Sequence, residues 1–165
     1  MKMRKPNIKI LGLIIISVTV LSCKKNNITD EELYESSLES GYQYYKNSTD
    51  TLNPASASPH GIFRARFNAV AQKSLDADGK LPANSSFEEG AVIVKEVYGQ
   101  KGGSLTLLAI MKKAPKSKNS GKDWLWGEYK PGGETVFSVS KKGDGCVSCH
   151  SSGSSRDLTR IFDLH

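Results

Sequence analysis

Cysteine and histidine are both scarce in this chain, at three each among 165 residues. Cys23, Cys146 and Cys149 are too few for the disulfide framework on which small exported domains rely. A zinc site is hard to assemble too. It takes about four ligands, and only His60, His165 and scattered carboxylates are there to complete the cysteine pair. No apolar run is long enough for a bilayer span, which needs about 20 residues; the run from Ile10 to Leu21 stops short. An excess of one charge is also missing once the leader is set aside. The chain has 23 basic and 17 acidic side chains, but Lys2, Arg4, Lys5 and Lys9 lie in the first 22 residues, which hold no acid. The remainder keeps 19 bases against 17 acids, or +2, and that balance argues against a nucleic-acid partner.

The leader itself is informative. Four bases precede a short apolar core, the pattern of an export signal. The core ends at Val20-Leu21-Ser22-Cys23, followed by Lys24 and Lys25. A small residue before a cysteine at that place resembles the lipobox of bacterial lipoproteins. By that resemblance residues 1–22 are a lipoprotein signal peptide, Cys23 carries the lipid, and residues 23–28 form a tether. The expected location is the bacterial cell envelope, anchored to a membrane and facing the periplasm. An ordinary secreted protein or an uncleaved anchor is the competing reading, and no Ala-x-Ala-like site lies nearby to support it. Residues 29–165 suit one domain with one core.

Within that domain, hydrophobic periodicity predicts an α+β fold, mainly an antiparallel β-sheet. Thr29-Asp30-Glu31-Glu32 reads as a capping box, and Tyr34, Leu38, Tyr42 and Tyr45 continue it as one face of an N-terminal helix. Residues 47–61, rich in Ser, Thr and Pro, read as a loop. Ile62 to Phe67 is a short strand, and Asn68 caps a second short helix running to about Leu75. Asp76-Ala77-Asp78-Gly79 is a turn, with too few acids following it for a calcium loop. Two hairpins follow: Ala91–Tyr98 with Ser104–Lys112, then Asp123–Tyr129 with Glu134–Ser140. Alternation puts Trp124 and Trp126 on one face. The Lys-rich stretch Lys112–Lys122 between the hairpins reads as a solvated loop, and the chain ends in a haem-binding turn.

Cys146-Val147-Ser148-Cys149-His150 carries that last expectation. Cys-x-x-Cys-His is the attachment pattern of c-type haem. Two thiols three apart on a helical turn share a side, so both reach one porphyrin edge as thioethers. The histidine after them then falls under the iron as the axial ligand. Haem c (iron), attached covalently through Cys146 and Cys149 and ligated by His150, is the expected cofactor. A thioredoxin-like redox pair, half a zinc site and chance are the competing readings. The first belongs beside a strand-helix-strand pattern, whereas these cysteines sit in a Gly/Ser-rich tail.

Taken together, five blocks in order resemble the cytochrome P-460 family and its cytochrome c′-beta relatives. They are Pro59-His60-Gly61 leading to Phe67-Asn68, then Asp78-Gly79-Lys80-Leu81-Pro82, then Glu89-Gly90-Ala91-Val92-Ile93-Val94-Lys95-Glu96. Trp124-Leu125-Trp126-Gly127 with Pro131-Gly132-Gly133 is the fourth, and the terminal Cys-x-x-Cys-His is the fifth. The resemblance implies a β-rich fold, a homodimer, one haem c and a distal pocket without a strong permanent ligand. It implies a small nitrogen-containing ligand, hydroxylamine or nitric oxide, and in the P-460 type a hydroxylamine oxidoreductase activity. That type carries a covalent bond from a lysine amine to a porphyrin meso carbon, and Lys95 occupies the place of that lysine. On its strand Lys95 follows Ala91 and Ile93 and precedes Val97, a cation among apolar residues whose charged form burial disfavours. The competing reading is an edge-strand lysine that snorkels to solvent. P-460 chemistry also uses a distal carboxylate, for which Glu128 and Asp144 are candidates. The family's Asp-Tyr-Val-Phe-Thr has only a loose counterpart in Arg156-Asp157-Leu158-Thr159-Arg160-Ile161-Phe162.

A plain electron-transfer cytochrome, lipid-anchored and serving an electron-transfer partner that the sequence does not identify, is the alternative function. It needs a sixth iron ligand. Met111, at a strand end, and His60, after a proline, are the candidates; packing suits the first better and a hydrogen-bonding turn role the second.

Overall fold

A computed structural model describes residues 27–55, 58–153 and 155–165. The expected signal peptide and Cys23 lie outside the described residues. Among the described residues six strands form one antiparallel sheet in sequence order. They are β1 (Gln43–Tyr44), β2 (Ile62–Phe67), β3 (Val92–Tyr98), β4 (Leu105–Lys113), β5 (Trp124–Tyr129) and β6 (Thr135–Phe137). The edge strands β1 and β6 are the short ones, which leaves little unpaired backbone at either margin. Among the described residues four short helices accompany the sheet: α1 (Asp30–Ser36), α2 (Ala69–Gln72), α3 (Cys146–Ser151) and α4 (Ile161–Leu164). The expected α+β class and antiparallel sheet are thus what the chain forms.

Alternation along the strands sorts side chains into two cores, one on each sheet face. Val92, Val94, Leu108, Ile110, Leu125 and Tyr129 point to one face, where Leu33 of α1 packs with them. Ala65, Phe67, Ile93, Met111, Trp124 and Trp126 point to the other, beneath Phe162 of α4 and the partly buried Cys146 and Val147 of α3. Trp124 and Trp126 share one face, as alternation predicts, and the C-terminal segment lies on that face.

Some elements are shorter than the periodicity predicted. The capping box is present, with Thr29 Oγ1 accepting from the Glu32 amide and the Glu32 carboxylate accepting from the Thr29 amide. The helix it starts ends at Ser36, not near Tyr45. The Ser36 and Ser37 hydroxyls donate back to the Leu33 and Tyr34 carbonyls, a competition serine mounts readily against the helix ladder. The chain then turns at Gly41 (φ 84°) into β1. Leu38 is exposed, Tyr42 packs near the α1 face, and Tyr45 crosses to the opposite core. Asn68 does cap α2, accepting from the Ala71 amide, but that helix closes at Gln72 and only turns continue to Leu75. The last strand is also short: beyond Phe137 the chain forms a 3-10 turn over Val139–Lys141.

The Lys-rich stretch departs from expectation at its start. Lys112 and Lys113 belong to β4, and Lys113 is 7% exposed. A buried cation needs a partner, and Lys113 Nζ has one in Asp157 Oδ1 at 2.8 Å. Among the described residues no helix is long and apolar enough to cross a membrane.

Candidate functional site

One row of cross-strand partners sets the sheet side of the site. Ala65, Lys95, Ala109 and Glu128 stand opposite one another on β2, β3, β4 and β5. Neighbouring strands are about 4.8 Å apart, so the row alternates small and charged side chains across the sheet. The alanines leave room where longer residues would fill it. Above them opens a cavity of about 390 Å³, shared by Lys95, Glu128, His60, Cys146, Cys149 and His150. That volume is within the usual range of small-molecule sites.

The cysteine pair rides on α3. Gly145 (φ 81°) takes the left-handed turn into the helix, and the amides of Cys146 and Val147 both bond the Gly143 carbonyl at 2.9 Å. The helix is one and a half turns long, too short to persist alone, and tertiary bonds fix it. His150 Nδ1 lies 2.8 Å from the Leu158 carbonyl, and Arg160 Nη1 donates to the Cys149 carbonyl at 3.3 Å. Trp126 presents its ring to His150 edge-on, with centroids 4.9 Å apart. With Nδ1 bonded to a carbonyl, Nε2 is the imidazole nitrogen left for a metal. Burial lowers the His150 pKa, opposed by the Leu158 bond and helped by the nearby cations Lys95 and Arg160. The neutral ring that results is the metal-binding form.

Cys146 and Cys149 are both free thiols, half-buried. Burial, then the carboxylates of Glu128 and Asp144, push the Cys146 thiol up. A thiol held protonated is slow to oxidise and a poor zinc ligand. Among the described residues no three His, Cys, Asp or Glu side chains converge as metal ligands. A haem iron asks for less, since one histidine from the chain can hold it.

Facing the thiols is a second constellation. Lys95 Nζ lies 3.3 Å from His60 Nδ1, and His60 Nε2 lies 2.9 Å from Glu128 Oε1. Lys95 does not snorkel: its Nζ sits 4.0 Å above the centre of the Phe63 ring. Burial lowers its pKa from 10.5 to about 8, against the opposing pull of Cys149 and Glu128.

The chain matches the family model for cytochrome P460 over residues 39–161. It belongs to the cytochrome P460 family. No curated protein matches the chain closely enough to count as a relative. Membership makes this a haem protein, and the residues fit that group. The cavity joins two unpaired thiols on one helical turn to a neutral histidine anchored through its far nitrogen.

Within this cytochrome P460 fold, the residues singled out in the sequence converge. Of the two carboxylate candidates, Glu128 reaches the Lys95 constellation through His60, while Asp144 lines the cavity from an exposed position before α3. Met111 packs in the aromatic core and also borders the cavity. His60 has the hydrogen-bonding role expected of it, and its position in the cavity adds to that.

Two further residues take places that the sequence did not assign them. His165 borders the cavity and meets Phe63 edge-on at 5.7 Å. Asp157 accepts from Lys113 Nζ at 2.8 Å, Trp124 Nε1 at 3.2 Å and the Phe87 amide at 2.9 Å. Asp157 and Leu158 both adopt left-handed backbone, at φ 49° and 65°. For residues other than glycine each such conformation costs about 1–2 kcal/mol.

Proposed function

We propose that this protein is a c-type member of the cytochrome P460 family that binds or oxidises small nitrogen species, hydroxylamine or nitric oxide. Cys146 and Cys149 attach the haem covalently as thioethers, and His150 is the axial ligand. The observation that carries this reading is the shared cavity, lined by the thiol pair and His150 of α3 and by Lys95, His60 and Glu128. When bound, haem supplies an iron that exchanges single electrons and takes up diatomic ligands.

The chain's own residues favour an open distal side over an electron-transfer cytochrome. Both ring nitrogens of His60 are engaged, one by Lys95 and one by Glu128, so neither is left for the iron. Met111 is held among aromatic side chains on the sheet. Lys95 contributes a desolvated amine beside the haem site, suited to the porphyrin bond that the family resemblance implies. Oxidising hydroxylamine passes electrons to an external electron-transfer partner and releases protons, and Glu128, His60 and Lys95 form a hydrogen-bonded line that can hold one. In this reading Cys23 anchors the mature protein to a membrane, the domain faces the periplasm, and two copies pair as a homodimer.

Absorption spectra in both redox states, together with acidified solvent extraction, test the proposal. Wild type should keep its haem on extraction, while Cys146→Ala and Cys149→Ala should weaken attachment or abolish maturation. Complete release of haem from wild type matured by c-type machinery overturns covalent attachment. A low-spin six-coordinate spectrum lost in Met111→Ala or His60→Ala overturns the open distal side.

A further inference from the structure

We infer that Asp157 is a positioning residue for His150, acting through the carbonyl of Leu158. The inference rests on His150 as the haem ligand. Leu158 offers that carbonyl to His150 Nδ1 at 2.8 Å, from a backbone in which both it and Asp157 are left-handed. Two consecutive residues with side chains do not hold that shape unaided. The Asp157 carboxylate supplies what holds it. Its side chain is 9% exposed, and it gathers donors from three separate segments. Lys113 ends β4, Trp124 begins β5, and Phe87 lies in the loop before β3.

The sheet therefore dictates where the Leu158 carbonyl stands. An ion pair that served only to close the loop would not require strained backbone at the residue that touches the ligand. Strain held in place by surrounding structure is found where geometry matters to function. A hydrogen bond from Nδ1–H to a carbonyl fixes the ring and makes it a more basic ligand. A more basic ligand favours the ferric state and lowers the reduction potential.

The test uses holoprotein carrying its haem, and reads midpoint potential and the iron–histidine resonance Raman band of the ferrous form. Asp157→Asn keeps the shape but removes the charge that draws Lys113. It should shift the potential upward and the band to lower frequency. Val94→Ala, a cavity in the core on the opposite sheet face, should move neither. If Asp157→Asn cannot be loaded with haem, Lys113→Gln serves instead. It removes the cation that pairs with the Asp157 carboxylate, and should move both readouts the same way. Unchanged potential and band in the variant, or equal shifts in Val94→Ala, overturn the inference while leaving His150 as ligand. A band that persists in His150→Gly, or is missing from wild type, overturns the ligand assignment and the inference with it.

Discussion

Lys95 and His60, from a strand and from the loop before its neighbour, meet inside the cavity with Nζ 3.3 Å from Nδ1. The contact fixes the imidazole's role. An ammonium can only donate, so Nδ1 accepts, and the remaining proton sits on Nε2, facing Glu128 Oε1 at 2.9 Å. A cation, a neutral ring and an anion thus stand in line. The arrangement lets a buried lysine share a carboxylate that it does not touch.

Glu128 should therefore hold up the Lys95 pKa. In protein whose Lys95 amine is free of any cross-link, the amine should titrate near 8. Glu128→Gln should titrate lower still, because the carboxylate's attraction for the ammonium is lost. The pH dependence of Lys95 acetylation, followed by mass spectrometry, gives both values. A Glu128→Gln value equal to or above that of wild type refutes the coupling.

The same shift has a consequence for stability. The folded pKa of about 8 lies below the ordinary 10.5. Between those values the unfolded chain binds the proton and the folded one does not, so stability rises with pH across that window. Below pH 8 both states are protonated, and the penalty for burying the ammonium is fully felt. Lys95→Met fills the space without a charge. Urea unfolding of un-cross-linked protein should show Lys95→Met more stable than wild type at pH 7, with the gap narrowing toward pH 10.5. A gap that widens with pH contradicts the assigned cause.

Gly143 is a second sensitive point. It adopts φ 72°, and a Cβ there would fall on the Trp126 indole. Trp126 in turn braces His150. Gly143→Ala combines backbone strain with overpacking, and should destabilise by about 2–4 kcal/mol. The same change should broaden or shift signals of the His150 ring, measured by NMR on the folded variant. Gly132 has open space around it, so Gly132→Ala is a control that should fall within about 0.5 kcal/mol of wild type.

The sequence made the central strands legible because each pairs a β-branched, apolar pattern with a clear turn. Ile62–Phe67 is a strand to the residue, and the faces of Trp124 and Trp126 follow from alternation alone. The first helix was overextended for the converse reason. Tyr34, Leu38, Tyr42 and Tyr45 keep a helical spacing, but two serines end the helix before it reaches them all. Lys113 passed for a loop cation because its partner, Asp157, is 44 residues away. His60 and Glu128 lie 68 residues apart, and only the register of the sheet brings them together. Chemistry carried by a local motif, as at Cys146–His150, is readable in one dimension. Chemistry made by convergence across strands is not.

Lys95 carries the decisive prediction about reactivity. Its amine is partly deprotonated near neutral pH and faces the cavity that the thiols of α3 also line. A neutral amine is a nucleophile, whereas a guanidinium keeps its charge at every working pH. If the bond to the porphyrin edge forms, it replaces an amine N–H and a meso C–H, with loss of two protons and of two electrons to an added oxidant such as a peroxide. Oxidant-treated wild type should then show an atypical haem spectrum and a lysine–haem peptide by mass spectrometry. Lys95→Arg preserves a cation near Phe63 and Glu128 but supplies no comparable nucleophile. It should convert the spectrum to that of ordinary haem c and abolish hydroxylamine oxidation, while haem stays bound through Cys146 and Cys149. Lys95→Ala should behave alike, which separates loss of the amine from loss of the charge. An ordinary wild-type spectrum without the cross-linked peptide would rule the bond out. Nitric oxide binding to the ferrous protein, unaffected by Lys95→Arg, would then be the activity that the cavity supports.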